Sequence, residues 1–165
     1  MSAVVLGIDP GLNGAIAALS DRGEFEHVSD LPVIRDKSLA WIDGAQLQST
    51  LIDIIRGRDA IACVERVSAM PRQGVASSFQ FGVVFGSVLS VLQAMQCRVE
   101  LVTPAVWKRS HGLSSDKNAS LYKARLMFPQ ADLRLAKHDG RAEALLIAYW
   151  FLTGRARDEQ ALHPR

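Results

Sequence analysis

Val4-Val5-Leu6-Gly7-Ile8-Asp9-Pro10-Gly11-Leu12-Asn13-Gly14-Ala15 is the stretch whose reading decides the fold. The apolar run through Ile8 has the length and β-branched content of a buried strand. It ends on a carboxylate, Asp9, and the turn formers Pro10-Gly11 and Asn13-Gly14 follow at once. Residues 15–19 are apolar again, so the stretch forms a hairpin with Asp9 at the tip of its first strand. An acid there is anchored by a sheet and open to a cleft, which suits a metal ligand. Asp-Pro-Gly also makes a simple turn, and the rest of the chain has to separate the two readings.

Working outward, Gly23 marks a turn, and residues 24–31 read as a third strand closed by Pro32. Three antiparallel strands therefore open the chain. Residues 33–43 are mixed in character and read as a loop. Leu47, Leu51, Ile54 and Ile55 fall at helical spacing within residues 45–56, with Gly57 as the C-cap. Ala60-Ile61-Ala62-Cys63-Val64-Glu65 is then a second buried strand ending in an acid. A strand that follows a helix in this way is a crossover partner, parallel to the first. Parallel pairing brings Asp9 and Glu65 to the same sheet end, where open α/β sheets bind ligands.

A polar loop holding Met70 and Arg72 leads to a long helix over residues 75–95. In it Ser78, Gly82, Gly86 and Ser90 recur every four positions as a ridge of small residues. Each glycine costs about 1 kcal/mol against alanine, so the ridge is expected to meet either the sheet of its own chain or a second copy of the helix. Residues 98–102 form a fifth strand. Thr103 as N-cap and Pro104 at the first helical position open a short helix through Trp107-Lys108-Arg109, broken at His111-Gly112. Ser115 or Asp116 caps a further helix that Pro129 stops. A last helix starts near His138-Asp139-Gly140, and the charged residues after Gly154 read as a frayed tail.

Composition sets the outer limits. The 165 residues fit one domain, and 48% hydrophobic with 22% charged residues is ordinary for a soluble globular protein. A net charge of +2 neither demands nor excludes a nucleic acid, so any basic footprint comes from local clustering. Cys63 and Cys97 lack metal-ligand spacing and read as free buried thiols in a reducing compartment. No secretory signal opens the chain, and Gly82, Gly86 and several polar residues interrupt the richest apolar run short of a membrane span. These features point to a cytoplasmic protein of a bacterial or phage-infected cell, or one of an organelle, with no membrane partner.

Asp139 and Glu143 stand four residues apart on one helix face, where like charges repel unless a cation lies between them. An acidic helix start that favours the dipole is the plainer account of the pair. Four acids from two strand tips and a helix suit a hard cation such as Mg²⁺ or Mn²⁺. Two such ions about 4 Å apart activate a water and stabilise the leaving oxygen of a phosphodiester. Phosphate loop, zinc pattern and nucleophile elbow are all missing from the sequence. Arg66, Arg72, Lys108, Arg109, His111, Lys117, Lys123 and Arg125 cluster between Glu65 and the last helix. They suit a phosphate-contacting face, or are solvated charges. Trp107 is a core anchor or a nucleic-acid contact, and His138 a capping or supporting residue more readily than a ligand.

In order along the chain, Gly7-Ile8-Asp9-Pro10-Gly11, Val64-Glu65, the glycine-containing helix, Pro104-Ala105-Val106-Trp107-Lys108 with Lys117, and Asp139 with Glu143-Ala144-Leu145 resemble the RuvC family of Holliday-junction resolvases. The resemblance implies an α/β, ribonuclease H-like fold: a five-stranded mixed sheet, three antiparallel strands then two parallel, flanked by helices. It implies a single nuclease domain over 1–154 with a tail at 155–165, and a homodimer. Paired symmetric nicking of four-way DNA junctions, with two Mg²⁺ or Mn²⁺ ions per active site, is the implied activity. By position Asp9, Glu65, Asp139 and Glu143 match the catalytic, metal-binding acids, and Lys108 a basic residue near the scissile phosphate. Lys117 matches another DNA contact, Met70 lies in the loop that reaches the junction centre, and Arg72 and Arg109 join the DNA-binding set. Bacterial members close on Asp-x-x-Asp; this chain has Asp139-Gly140-Arg141-Ala142-Glu143, nearer the phage and plastid branches. Other outcomes open to the sequence are a ribonuclease H-like nuclease acting on other branched or hybrid substrates, and a noncatalytic junction-binding protein.

Overall fold

The computed structural model describes residues 3–37, 39–66, 68, 74–113 and 117–162, with 117 and 155–162 described by backbone only. Strands β1 (Val4–Asp9), β2 (Ala15–Ser20) and β3 (Phe25–Asp30) form an antiparallel meander. After a two-stranded ribbon, β4 (Val33–Asp36) and β5 (Leu39–Ile42), helix α1 (Gly44–Ile55) crosses over to β6 (Ala60–Glu65). Helix α2 (Val75–Ala94) crosses to β7 (Arg98–Val102), followed by α3 (Pro104–Ser110), α4 (Lys117–Met127) and α5 (Asp139–Leu162). The five-stranded sheet has the order β3-β2-β1-β6-β7, with β6 parallel to β1 and β7 parallel to β6. It is mixed as expected: three antiparallel strands, then two parallel ones.

Strand alternation divides the core into two layers. Val4, Leu6 and Ile8 of β1, with Ala62 and Val64 of β6, pack on one face against Leu47 and Leu51 of α1 and Val84, Val88 and Leu92 of α2. Val5, Ile61 and Cys63 face the other way, against Trp107 and the buried run Ala144 to Ala148 of α5. Gly7 shares this second face. A Cβ there would stand 2.0 Å from the Ala144 carbonyl oxygen and 2.6 Å from the Ala148 nitrogen, so α5 lies directly on the central strand because β1 has no side chain at that point.

Residues 33–43 are not a loop. Val33 pairs with Ile42 and Asp36 with Leu39 in the β4–β5 ribbon. Its outer strand is almost wholly exposed, so it carries little apolar alternation to read. What fixes the ribbon is remote in sequence: the Gln80 side-chain amide on α2 accepts from the Ala40 N–H at 2.9 Å and donates to the Ala40 carbonyl.

Other boundaries also shift. Asp43 caps α1 by accepting from the Gln46 N–H at 3.0 Å, and Arg56 (φ 50°) takes the C-cap in the left-handed region, with Gly57 (φ 73°) left-handed just beyond it. Thr103 occupies the N-cap of α3 without a side-chain cap bond. Ser115 and Asp116 lie outside the described residues. Helix α5 runs past Gly154 to Leu162. Contrary to the sequence expectation, α2 is long and apolar enough to span a membrane by length and composition. Its ridge does not meet the sheet: Cβ atoms at Gly82 and Gly86 would find nothing within 4 Å.

Candidate active site

Alternation decides where the strand-end acids point. Asp9 follows Val5 and Gly7 in phase, and Glu65 follows Ile61 and Cys63, so both carboxylates emerge on the α5 face. The parallel register pairs Ile8 with Val64, which puts Asp9 and Glu65 at the same sheet end. The first turn of α5 sits over that end. A Cβ on Gly140 would lie 3.2 Å from Asp9 Oδ2 and 2.4 Å from the Asn13 carbonyl oxygen, so only glycine lets the helix start approach the β1–β2 turn this closely. Asp139 and Glu143, one turn apart on α5, flank this contact.

The electrostatics report the same convergence. Burial, then the neighbouring charges of Glu65 and Glu143 and, more weakly, Asp139, push the Asp9 carboxyl from 3.8 up to about 8, against an opposing hydrogen bond from Gly11. Glu65 is likewise raised by burial, partly offset by the Trp107 indole, with Glu143 raising it further and Lys108 lowering it. Four acids outweigh the one cation set among them, Lys108, and their hard oxygen donors match Mg²⁺ or Mn²⁺. Among the described residues, however, no three of these side chains stand close enough together to hold one ion. Donors of the chain itself hold three of them: Gly11 N–H on Asp9 Oδ1 at 3.2 Å, Trp107 Nε1–H on Glu65 Oε1 at 2.8 Å, and Lys108 Nζ on Glu143 Oε1 at 2.8 Å.

The basic residues sort by what they touch. Lys108 is half-buried, its ammonium 5.1 Å from the centre of the Trp107 ring, and Arg109 beside it is exposed. Lys123 donates to the His111 carbonyl at 2.9 Å and Arg125 to the Leu133 carbonyl at 2.7 Å, so these two brace loops. His111 is buried and its Nε2 lies 2.8 Å from the Leu146 carbonyl oxygen, a core role. Buried His138 has its Nδ1 4.0 Å from Asp132, without a hydrogen bond. Lys117 opens α4, while Met70 and Arg72 lie outside the described residues. A cleft of about 720 Å³ lies away from the acids, beside Glu26 and Arg58, but those two charges are already spent on a bidentate pair of 2.8 and 2.7 Å.

No family model matches the chain. A curated relative, the chloroplastic Holliday junction resolvase MOC1 of Chlamydomonas reinhardtii, is 39% identical over 93 residues, 54% of this chain. The chain spans about a tenth of that protein's length, 10%. The structure of T. thermophilus RuvC in complex with a Holliday junction substrate superposes with a TM-score of 0.63 at 16% identity, covering 93% of this chain and 96% of the other. The fold is the RuvC fold. A second Thermus thermophilus RuvC structure gives a TM-score of 0.56 at 17% identity over the same shares, 93% and 96%.

Within this RuvC-like architecture, two contributors to the site escape sequence reading. Trp107 is both the core anchor that its burial demands and the donor that orients Glu65. Arg141 ties the start of α5 to the meander, reaching Asp30 at 2.5 and 3.0 Å and Asp132 at 3.0 Å. Its bidentate partner Asp30 is 111 residues away in sequence, and an arginine inside an acidic helix start gives no signal of its own.

Proposed function

We propose that the chain is a metal-dependent endodeoxyribonuclease that resolves four-way DNA junctions by paired symmetric nicks, acting as a homodimer. The observation that carries this reading is the gathering of Asp9, Glu65, Asp139 and Glu143 on one face of one sheet end, with Lys108 against them. Two Mg²⁺ or Mn²⁺ ions held by these acids would supply an activated water and charge stabilisation at the leaving oxygen. Asp9 and Glu65 offer oxygens fixed by the sheet, and Asp139 and Glu143 offer oxygens one helical turn apart. Lys108 brings a positive charge to the place where a phosphate gains negative charge in the transition state. Arg109, with Lys117, Arg72 and Met70, is assigned to DNA contact beyond the acids.

The dimer is supported by α2. Its sheet-facing side holds Val84, Val88 and Leu92, while Phe79 is 64% exposed and the Gly82–Gly86 ridge is open. A second copy of the helix fits a surface that is both apolar and narrow. Twofold symmetry then sets two sites against two strands.

The test is to incubate the protein with a mobile four-way junction and Mg²⁺ and to map the nicks, with a flap and an RNA–DNA hybrid alongside. Symmetric nicks in the junction that vanish in Asp9→Asn, while junction binding survives, are expected. Full cutting by Asp9→Asn, or preference for the flap or hybrid, defeats the assignment.

A further inference from the structure

The acid cluster has two borders, and only one is accounted for by Lys108, which stands on the Glu143 side. On the Asp139 side a cleft of about 550 Å³ opens, lined by Asn13, Asp30, Arg35, Lys137 and Asp139 itself. A smaller one of about 320 Å³ adjoins it across Arg35 and Leu12, running under the β4–β5 ribbon to Lys37, Ser77 and Gln80 of the α2 side. Resting on the junction-nuclease reading above, we propose that these two clefts form one groove for the phosphodiester backbone of the bound strand. Arg35, Lys37 and Lys137 are its phosphate contacts.

Three features favour a polyanion there. Of the two acids on the lining, Asp139 belongs to the acid cluster, and Asp30 is neutralised by the bidentate Arg141 pair, which holds its carboxyl below the usual carboxylate range. Arg35 is exposed yet fixed: its Nη2 donates to the Leu12 carbonyl at 3.0 Å and the Asn13 side-chain oxygen at 3.3 Å, both on the turn that follows Asp9. Among the described residues no carboxylate pairs with Arg35, so its remaining N–H groups stay open to a phosphate. The ribbon is also a rigid support, because Gln80 clamps Ala40 from both its N–H and its carbonyl. A strand whose scissile phosphate lies at the acids would pass Asp139 and meet these cations next. Contacts of this kind add affinity and salt dependence without reading bases.

The experiment measures binding of a synthetic four-way junction against salt, with the full chain in the Asp9→Asn background. Lys37→Ala with Lys137→Ala leaves the Arg35 bonds to the turn intact. It removes two cations from each protomer, four from the dimer, and should flatten the log–log salt slope by about four and weaken binding by about ten-fold or more. Adding Arg35→Ala, one more cation from each protomer, should flatten the slope by about two more. In the Asp9-containing protein, the double variant's Mn²⁺ binding, read by calorimetry, should stay as in wild type. Junction binding with an unchanged slope in both variants overturns the groove and leaves the nuclease reading standing. A parent protein that does not bind the junction overturns both.

Discussion

The indole nitrogen of Trp107 donates to Glu65 Oε1 at 2.8 Å across 42 residues of sequence, joining the core of one face to the acid cluster at its edge. Trp107 is fully buried, so the ring cannot turn away and the bond is imposed on Glu65 by packing. Trp107→Phe keeps most of the apolar contact and removes the donor. Loss of a group that orients a metal ligand costs on the order of 10–100-fold in metal affinity or activity. We expect that loss in Mg²⁺-dependent nicking, with a well-folded protein by circular dichroism. Unchanged single-turnover rates would show that Glu65 needs no support.

Asp9 gives the metal-free protein a pH dependence of definite sign. Its carboxyl titrates near 3.8 when unfolded and near 8 when folded, so the native state holds the extra proton between these values. Stability is then full below about pH 4 and is lost as pH rises toward 8. In chelator, the unfolding free energy should fall by up to about 6 kcal/mol over that window, and Asp9→Asn should abolish most of the fall. Divalent ions should reverse the trend by displacing the proton. Urea melts at several pH values, with and without Mg²⁺, check both.

The order of elements was legible because each buried strand is a short apolar run closed by a turn former or an acid. Strand alternation even predicts which face Asp9 and Glu65 share, once β1 and β6 are taken as parallel. The ribbon was not legible: its order depends on Gln80, more than 40 residues beyond its first strand, and its outer residues are solvent-exposed. The same holds within the site, where the acids stand out by type and spacing while Trp107 and Arg141 act through distant partners. The α2 ridge shows the limit of periodicity. Spacing exposes a stripe of small residues but not which way it faces, and that depends on where Val84, Val88 and Leu92 find the sheet.

Lys108 has two neighbours that both favour its charge, the Glu143 carboxylate at 2.8 Å and the face of the Trp107 ring at 5.1 Å. Lys108→Met preserves the stem over the ring and deletes the charge. Removing one group aimed at developing negative charge costs about 10²–10³ in rate, and we expect nicking to fall by that much while junction affinity changes several-fold at most. An equal loss in both would make Lys108 a binding residue only.

Arg141 links stability to the low-pH side. Its guanidinium holds Asp30 below the usual carboxylate range, so this pair stabilises the fold above the unfolded Asp pKa and fades as pH falls through the lower folded value. Arg141→Met should lower the melting temperature at pH 7 and flatten its decline between about pH 4 and pH 2. It should also depress nicking, by loosening the helix start that carries Asp139 and Glu143. A variant melting like wild type across that range would remove Arg141 from the account of the site.

The open ridge on α2 separates two outcomes by sign. Glycine inside a solvent-facing helix costs about 1 kcal/mol relative to alanine, so Gly82→Ala with Gly86→Ala should stabilise an isolated chain. If a second copy of the helix lies in the groove that these glycines leave, the added methyl groups push the two helices apart. Gly86→Leu should do so more strongly, since its Cβ finds open space within its own chain. We therefore expect Gly86→Leu to shift the protein from dimer to monomer in sedimentation velocity and to lose the pairing of nicks while single nicks persist. A Gly86→Leu protein that stays dimeric and cuts symmetrically would place the subunit contact elsewhere, leaving Phe79 and the ridge without the partner their exposure calls for.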